Sequence, residues 1–300
     1  MNPERSDRTN SPISLASVQI DVTTRLGAPA PMTTTGFASL DELLGGGLRP
    51  GILLTLLSPP GLGRTTLALF MAYMAARSRA STLFTSVGLD DTEIVSRLAA
   101  RALHRESPEI AAGYGSIWSG QALALADVRG PLLGAVETVA RKVGSHLHLR
   151  RAGSLEPTGV LAECAAELWS RHERVVVVVD DLEAYYASSD GNAAKQASVN
   201  ASLDSRIMQI AFDLKSLAEQ GCAVIATALS NHSSLVTQAS SLVLELRPAQ
   251  RSPVGLESEL GLGARELDLV VLKNRLGAGG SIPLRMVPGA GFVEEGRATG

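Results

Sequence analysis

The chain has 300 residues, 45% of them hydrophobic and 4% aromatic, with a formal net charge of -3 and a pI near 6.0. That is enough apolar chain for one substantial core or two small ones, built from Leu, Val, Ile and Ala. The charge excludes a global basic field for nucleic acid, so such binding needs a local patch or an assembly. The apolar runs stop short of membrane-spanning length.

Residues 1–31 are rich in Ser, Thr, Asn, Pro and Arg without a sustained period, and read as a flexible arm. The opening MNPERSDRTNSP has no apolar stretch of the signal-peptide kind, so a cytoplasmic protein is expected. The spacing of elements predicts one domain over 32–295 and a tail at 296–300. Cys164 and Cys222 stand apart, outside any C-x-x-C, and read as buried hydrophobes. In TGFASLDELLGGGLRPG, Ser39 or Asp41 is expected to cap a short helix through Leu44, which Gly45 to Gly47 end.

Leu53 to Leu69, LLTLLSPPGLGRTTLAL, reads as strand, phosphate loop and helix. In a loop of the form G-x-x-x-x-G-K-[ST], glycines let backbone N–H groups close around phosphates, the lysine reaches the β and γ oxygens, and the hydroxyl ligates magnesium. Here the loop is Ser58, Pro59, Pro60, Gly61, Leu62, Gly63, Arg64, Thr65 and Thr66. Ser58 for the first glycine is a mild departure. Arg64 for the lysine matters more, because a planar guanidinium on a longer stem does not place its charge where an ammonium sits.

Ser81 to Val87 is a short buried strand, and Asp91 to Leu103 an amphipathic helix capped by Asp90 or Thr92. Helices broken by Gly and Pro are expected between Gly113 and Ser145. His146 to Arg150 alternates as a strand does; His146 and His148 then share a face, with no third ligand close in sequence to complete a metal site. After the helix Val160 to His172 comes RVVVVVDD, Arg174 to Asp181. Five consecutive valines suit a central parallel strand covered on both faces. At its carboxyl end, where ligands bind in open α/β sheets, Asp180 is placed to hold a magnesium ion shared with Thr65. A polar loop, Tyr185 to Ser202, leads to the helix Ser205 to Gln220 and the strand Ala223 to Leu229. Strands at Leu242 to Leu246, Glu266 to Leu272 and Ile282 to Val287 follow, with a Pro/Gly/Ser loop at Pro248 to Gly263. The fold class is α/β: a mostly parallel, twisted sheet with helices on both faces, its last strands antiparallel.

In this order, TGFASLDELLGGGLRPG, PPGLGRTTLAL, VVVVVDDLEAYY, DLKSLAEQGCAVIATALS and VVLKNRLGAGGSIPL, the chain resembles the ATPase domain of DnaB-type replicative helicases over about Thr34 to Glu294. LGGGLxPG and PGxG are similar also to RadA and KaiC. The resemblance implies a RecA-like P-loop NTPase using ATP and Mg2+, a ring of identical subunits, and single-stranded DNA as a partner. It assigns Gly61, Gly63, Arg64, Thr65 and Thr66 to the phosphates, Asp180 to magnesium, and Ser230 or Asn231 to the γ-phosphate sensor. Lys273 and Arg275 become a finger reaching a neighbour's nucleotide.

Three family features are missing. The strand after the P-loop helix ends in SLEM in those helicases, with a glutamate that polarises water; aligned through Ser86 and Arg97, that slot is Gly88. Asp90 and Asp91 lie just beyond it. The Arg-rich DNA loop is reduced to SNHSSLVTQASS, and the primase-binding domain has no counterpart. Weakened hydrolysis with poor DNA binding is expected; the alternatives are a non-hydrolysing scaffold of the same fold or a RadA- or KaiC-like regulatory ATPase.

Overall fold

The computed structural model describes residues 31–107, 119–172, 174–188, 202–251, 264–288 and 291–294, with single positions elsewhere. Most of the expected arm, the tail and most of the two long polar loops lie outside the described residues. Nine strands form one sheet in the order β11-β10-β9-β8-β1-β7-β5-β2-β3. The six from β3 to β8 in that order pair in parallel: β3 (Leu147–Arg151), β2 (Ser81–Ser86), β5 (Val175–Asp180), β7 (Ala223–Leu229), β1 (Leu53–Ser58) and β8 (Leu242–Pro248). β9 (Arg265–Asn274), β10 (Gly280–Val287) and β11 (Gly291–Glu294) add antiparallel, and a separate two-stranded pair joins β4 (Glu156–Pro157) to β6 (Tyr185–Tyr186).

The valine run of β5 shows why the sheet is central. Val176 and Val178 enter one core with Leu67 and Met71 of α2 (Arg64–Arg77). Val175, Val177 and Val179 enter the other, with Leu161 of α5 (Gly159–Trp169) and Leu214 of α6 (Leu203–Glu219). A strand buried on both faces needs apolar residues at every position, and each such side chain contributes roughly 1.5–3 kcal/mol. Helix α2 is buried almost all round, as its run of apolar residues from Leu67 to Ala76 requires. In α3 (Asp91–Glu106), Asp90 is the cap: its Oδ1 accepts the Glu93 N–H at 2.8 Å. α4 (Ala126–Val143) occupies the segment expected to hold broken helices.

One correction concerns the first tract of the resemblance. Asp41 does not cap α1 (Ala38–Leu43), whose N-cap is Phe37 without a side-chain bond. Instead it folds back, accepting from Thr34 Oγ1, the Thr35 N–H at 2.8 Å and Thr35 Oγ1 at 2.7 Å. Asn274 of KNR braces the other side, donating to the carbonyls of Leu43 at 3.2 Å and Ala278 at 2.9 Å. The short stretch after β7 forms a turn, Ser230–His232, and α7 (Ser233–Thr237). No described helix is long and apolar enough to cross a membrane.

Candidate nucleotide site

Strand register puts the chemistry at one edge. Ser58 pairs with Leu229, and Ser86 with Asp180, so the carboxyl ends of β1, β7, β5 and β2 stand side by side. The loop that leaves β1 turns through Gly61 (φ 79°) and Gly63 (φ 92°), torsions that side-chain-bearing residues rarely adopt. Gly63 is also tight: a Cβ there would meet the Phe292 ring at 3.2 Å. Ser58 is buried, its hydroxyl turned onto the Pro59 carbonyl at 2.8 Å.

Asp180 is the hub. Its Oδ1 accepts from Thr227 Oγ1 at 2.8 Å and Thr65 Oγ1 at 3.1 Å, and its Oδ2 from Ser86 Oγ at 3.1 Å. Burial pushes its carboxyl above the ordinary range, and Asp181 adds to this; the three hydroxyls pull the other way. A buried carboxylate ringed by hydroxyls at the end of a sheet strand suits a hard cation with oxygen ligands. The expected pair, Thr65 and Asp180, is therefore in contact.

Arg64 begins α2 and aims along the same edge. Its Nη2 donates to Asp181 Oδ2 at 3.1 Å, while Nε and Nη1 are buried with no partner. Three nitrogens carrying five N–H donors, with one acceptor between them, leave a strong demand for negative charge. Asp181 is pushed up to about 6, first by burial and then by the neighbouring Glu183, against the pull of Arg64. Glu183 Oε1 accepts the Leu229 N–H at 3.3 Å and faces His232 Nε2 at 3.4 Å; Ser230 Oγ is buried without a partner. Asn231 is exposed.

On the other flank of the loop lies a cavity of ≈ 460 Å³, walled by Thr66, Phe70, Arg97, Arg101, Arg265 and Met286 among others. Arg97 Nη1 donates to Thr66 Oγ1 at 2.9 Å and its Nη2 pairs with Glu93 at 2.8 Å. Arg101 lies 4.2 Å over the Phe70 ring and donates to the Phe292 carbonyl at 3.1 Å. Burial and the neighbouring Arg105 pull its pKa down to about 10. Arg265 Nη1 donates to the Gly61 carbonyl at 3.4 Å. The cavity is thus basic beside the loop and apolar toward β10 and β11. Neither the three arginines nor β11 was marked in the sequence as part of the site; Arg97 and Arg101 carry a signal, being i, i+4 on α3 just past β2.

Gly88 is an exposed turn residue, and a Cβ there would meet nothing within 4 Å. Asp90 is committed to capping α3, and Asp91 points to solvent in the first turn. Lys273 and Arg275 lie at the opposite edge. Lys273 pairs with Val243 near the start of β8, whereas the end of β8 lies on the phosphate-loop side. Its Nζ donates to the carbonyls of Thr237 and, at 2.8 Å, Ser240; Arg275 Nη2 reaches Gln238 O at 3.4 Å. Neither can touch its own chain's loop. His146 and His148 acquire a neighbour the sequence did not suggest, His172, with ring centroids 5.9 and 6.4 Å away. No group of three His, Cys, Asp or Glu side chains among the described residues is arranged to hold a metal.

No curated protein matches the sequence. Among solved structures, a DnaB-like replicative helicase studied with primase superposes with a TM-score of 0.73 at 16% identity, covering 97% of this chain and 69% of that one. A separate ATPase domain superposes at 0.72 with 17% identity, over 94% of this chain and 99% of that one. The flagellar accessory protein FlaH of Methanocaldococcus jannaschii follows at 0.52 with 13% identity, over 88% and 99%. These likenesses establish a RecA-like P-loop fold. Residues 33–240 match the family model for the DnaB-like helicase C-terminal domain, and the chain belongs to that family.

Proposed function

We propose that this protein binds Mg-ATP at the Ser58–Thr66 loop and hydrolyses it slowly, as a ring of identical subunits serving DNA replication, recombination or unwinding. The observation that carries the reading is Arg64, whose buried Nε and Nη1 have no partner while Thr65 and Asp180 touch beside it. Phosphate oxygens would satisfy those donors, together with the backbone N–H groups of Gly61 to Thr66. Thr65 and Asp180 would hold magnesium, which supplies charge neutralisation at the terminal phosphates. Thr227 and Ser86 keep Asp180 oriented. The apolar flank of the cavity, Phe70 and Met286, suits a nucleobase.

Because Lys273 and Arg275 sit at the far edge, any contact of theirs with nucleotide must be made to an adjoining subunit. Turnover should then rise with protein concentration, and Arg275→Ala should remove that rise. The short turn and α7 after β7 offer few cations, so single-stranded DNA should bind weakly and with strong salt dependence. Calorimetric titration with Mg-ATP, followed by turnover with and without single-stranded DNA, tests the reading. Absence of heat at millimolar ATP would overturn it. Binding without turnover would favour the second reading, a non-hydrolysing scaffold, which Gly88 and Arg64 support.

A further inference from the structure

We propose that Asp181 is the carboxylate that orients the attacking water, in place of the side chain absent at Gly88. The proposal rests on the nucleotide reading above. Most other carboxylates near the loop are committed, Asp180 to three hydroxyls, Asp90 to the N-terminus of α3 and Glu93 to Arg97, while Glu183 gives Oε1 to the Leu229 N–H and His232 and keeps Oε2 buried away from the open loop. Asp91 lies in the exposed first turn of α3. Asp181 has a side chain 35% exposed and stands 3.1 Å from Arg64 Nη2. Arg64 directly follows Gly63 of the loop and its unpartnered nitrogens suit phosphate oxygens, so its carboxylate partner lies on the side of the loop where phosphate would bind. The buried hydroxyl of Ser230, without a partner, faces the same edge from the end of β7.

In the step, the water oxygen forms a bond to the terminal phosphorus and the bond from that phosphorus to the β–γ bridging oxygen breaks. The electron pair leaves on the ADP oxygen. The water proton passes to an Asp181 oxygen and from there to the released phosphate. Glu183 acts as a positioning residue, since its own anchors on β7 hold it against Asp181.

Asp181 has two duties of opposite sign for binding and turnover, and this separates it from a structural role. As the partner of Arg64 it competes with phosphate; as the water's acceptor it accelerates hydrolysis. Asp181→Asn should therefore tighten a non-hydrolysable ATP analogue severalfold while lowering turnover about 10²-fold, the lower end of general-base effects. Gly88→Glu added to Asp181→Asn should restore turnover from the neighbouring turn, where the new side chain has open space. Asp91→Asn should leave turnover unchanged. If Asp181→Asn melts out, Asp181→Glu keeps the charge on Arg64 and moves the oxygens by one methylene; turnover should fall with affinity unaltered. Wild-type turnover in Asp181→Asn, loss of turnover in Asp91→Asn, or bound nucleotide with no turnover in the wild type each overturns the proposal. Failure of the wild type to bind the analogue would instead overturn the nucleotide reading itself.

Discussion

The two edges of the parallel sheet use basic residues in opposite ways. At the amino edge, Lys273 holds the carbonyls of Thr237 and Ser240, and Asn274 those of Leu43 and Ala278, so these polar groups bind the chain to itself. At the carboxyl edge, Arg64 points one nitrogen at Asp181 and keeps the other two buried and unmet. A cation whose donors are spent on carbonyls is a clamp; one whose donors are left over after folding is a ligand residue in waiting. Lys273 and Arg64 are both basic and both follow family motifs, yet their bonding separates them.

Substitutions at each edge should break or sharpen that contrast. The largest effect is expected at the amino-edge brace: in Gly36→Ala the new Cβ would lie 2.5 Å from Met74 Cγ on a backbone with φ 90°. Strain and overpacking together should remove about 3 kcal/mol or more, read as a shifted denaturant midpoint. Lys273→Met comes next. Loss of a half-buried charged clamp should destabilise by roughly 1–2 kcal/mol without altering nucleotide affinity. Arg64→Met should do the reverse: melting holds or rises, because unmet buried donors disappear, while ATP affinity falls at least tenfold. Equal melting losses in the two variants would erase the distinction.

Arg64→Lys is a smaller change that tests what kind of ligand the slot wants. A point charge on a shorter stem should tighten ATP by about tenfold, or roughly 1.4 kcal/mol, in calorimetry. The smallest effect concerns pH at the amino edge. Burial first, then Arg79 for His146 and His172 for His148, holds both rings below the ordinary histidine range. Their neutral forms are favoured in the folded state, so the unfolded chain takes up protons first. Stability should therefore be full above about pH 6.5 and decline as pH falls below it. A melting series from pH 7.5 to 5.5 should show the decline, blunted in His148→Gln.

Legibility in the sequence followed locality. The phosphate loop, the valine strand and the capping of α3 by Asp90 rest on neighbours within a few residues, and pattern alone finds them. Asp41 was misassigned because the same residue type that caps helices also folds back onto preceding Thr hydroxyls, and only packing selects between the two. Asp181 carries no local signal, because its tie to Arg64 joins the end of β5 to the start of α2, 117 residues away in the chain. The arginine-lined cavity was hidden for a similar reason. Arg101 meets Phe292 from 191 residues away in the chain, and the four residues of β11 are too few to carry a period.

That last contact affects the order in which the site is completed. Phe292 packs on Gly63, and Arg101 donates to the Phe292 carbonyl, so the final described strand of the sheet forms a wall of a loop that is synthesised long before it. During translation the loop and α2 emerge early and wait, with one flank open, until β11 has left the ribosome. A chain stalled before Gly291 would carry the whole Ser58–Thr66 loop and still lack the enclosure around it. Nucleotide retention by ribosome-bound chains should accordingly appear only once the last strand has docked.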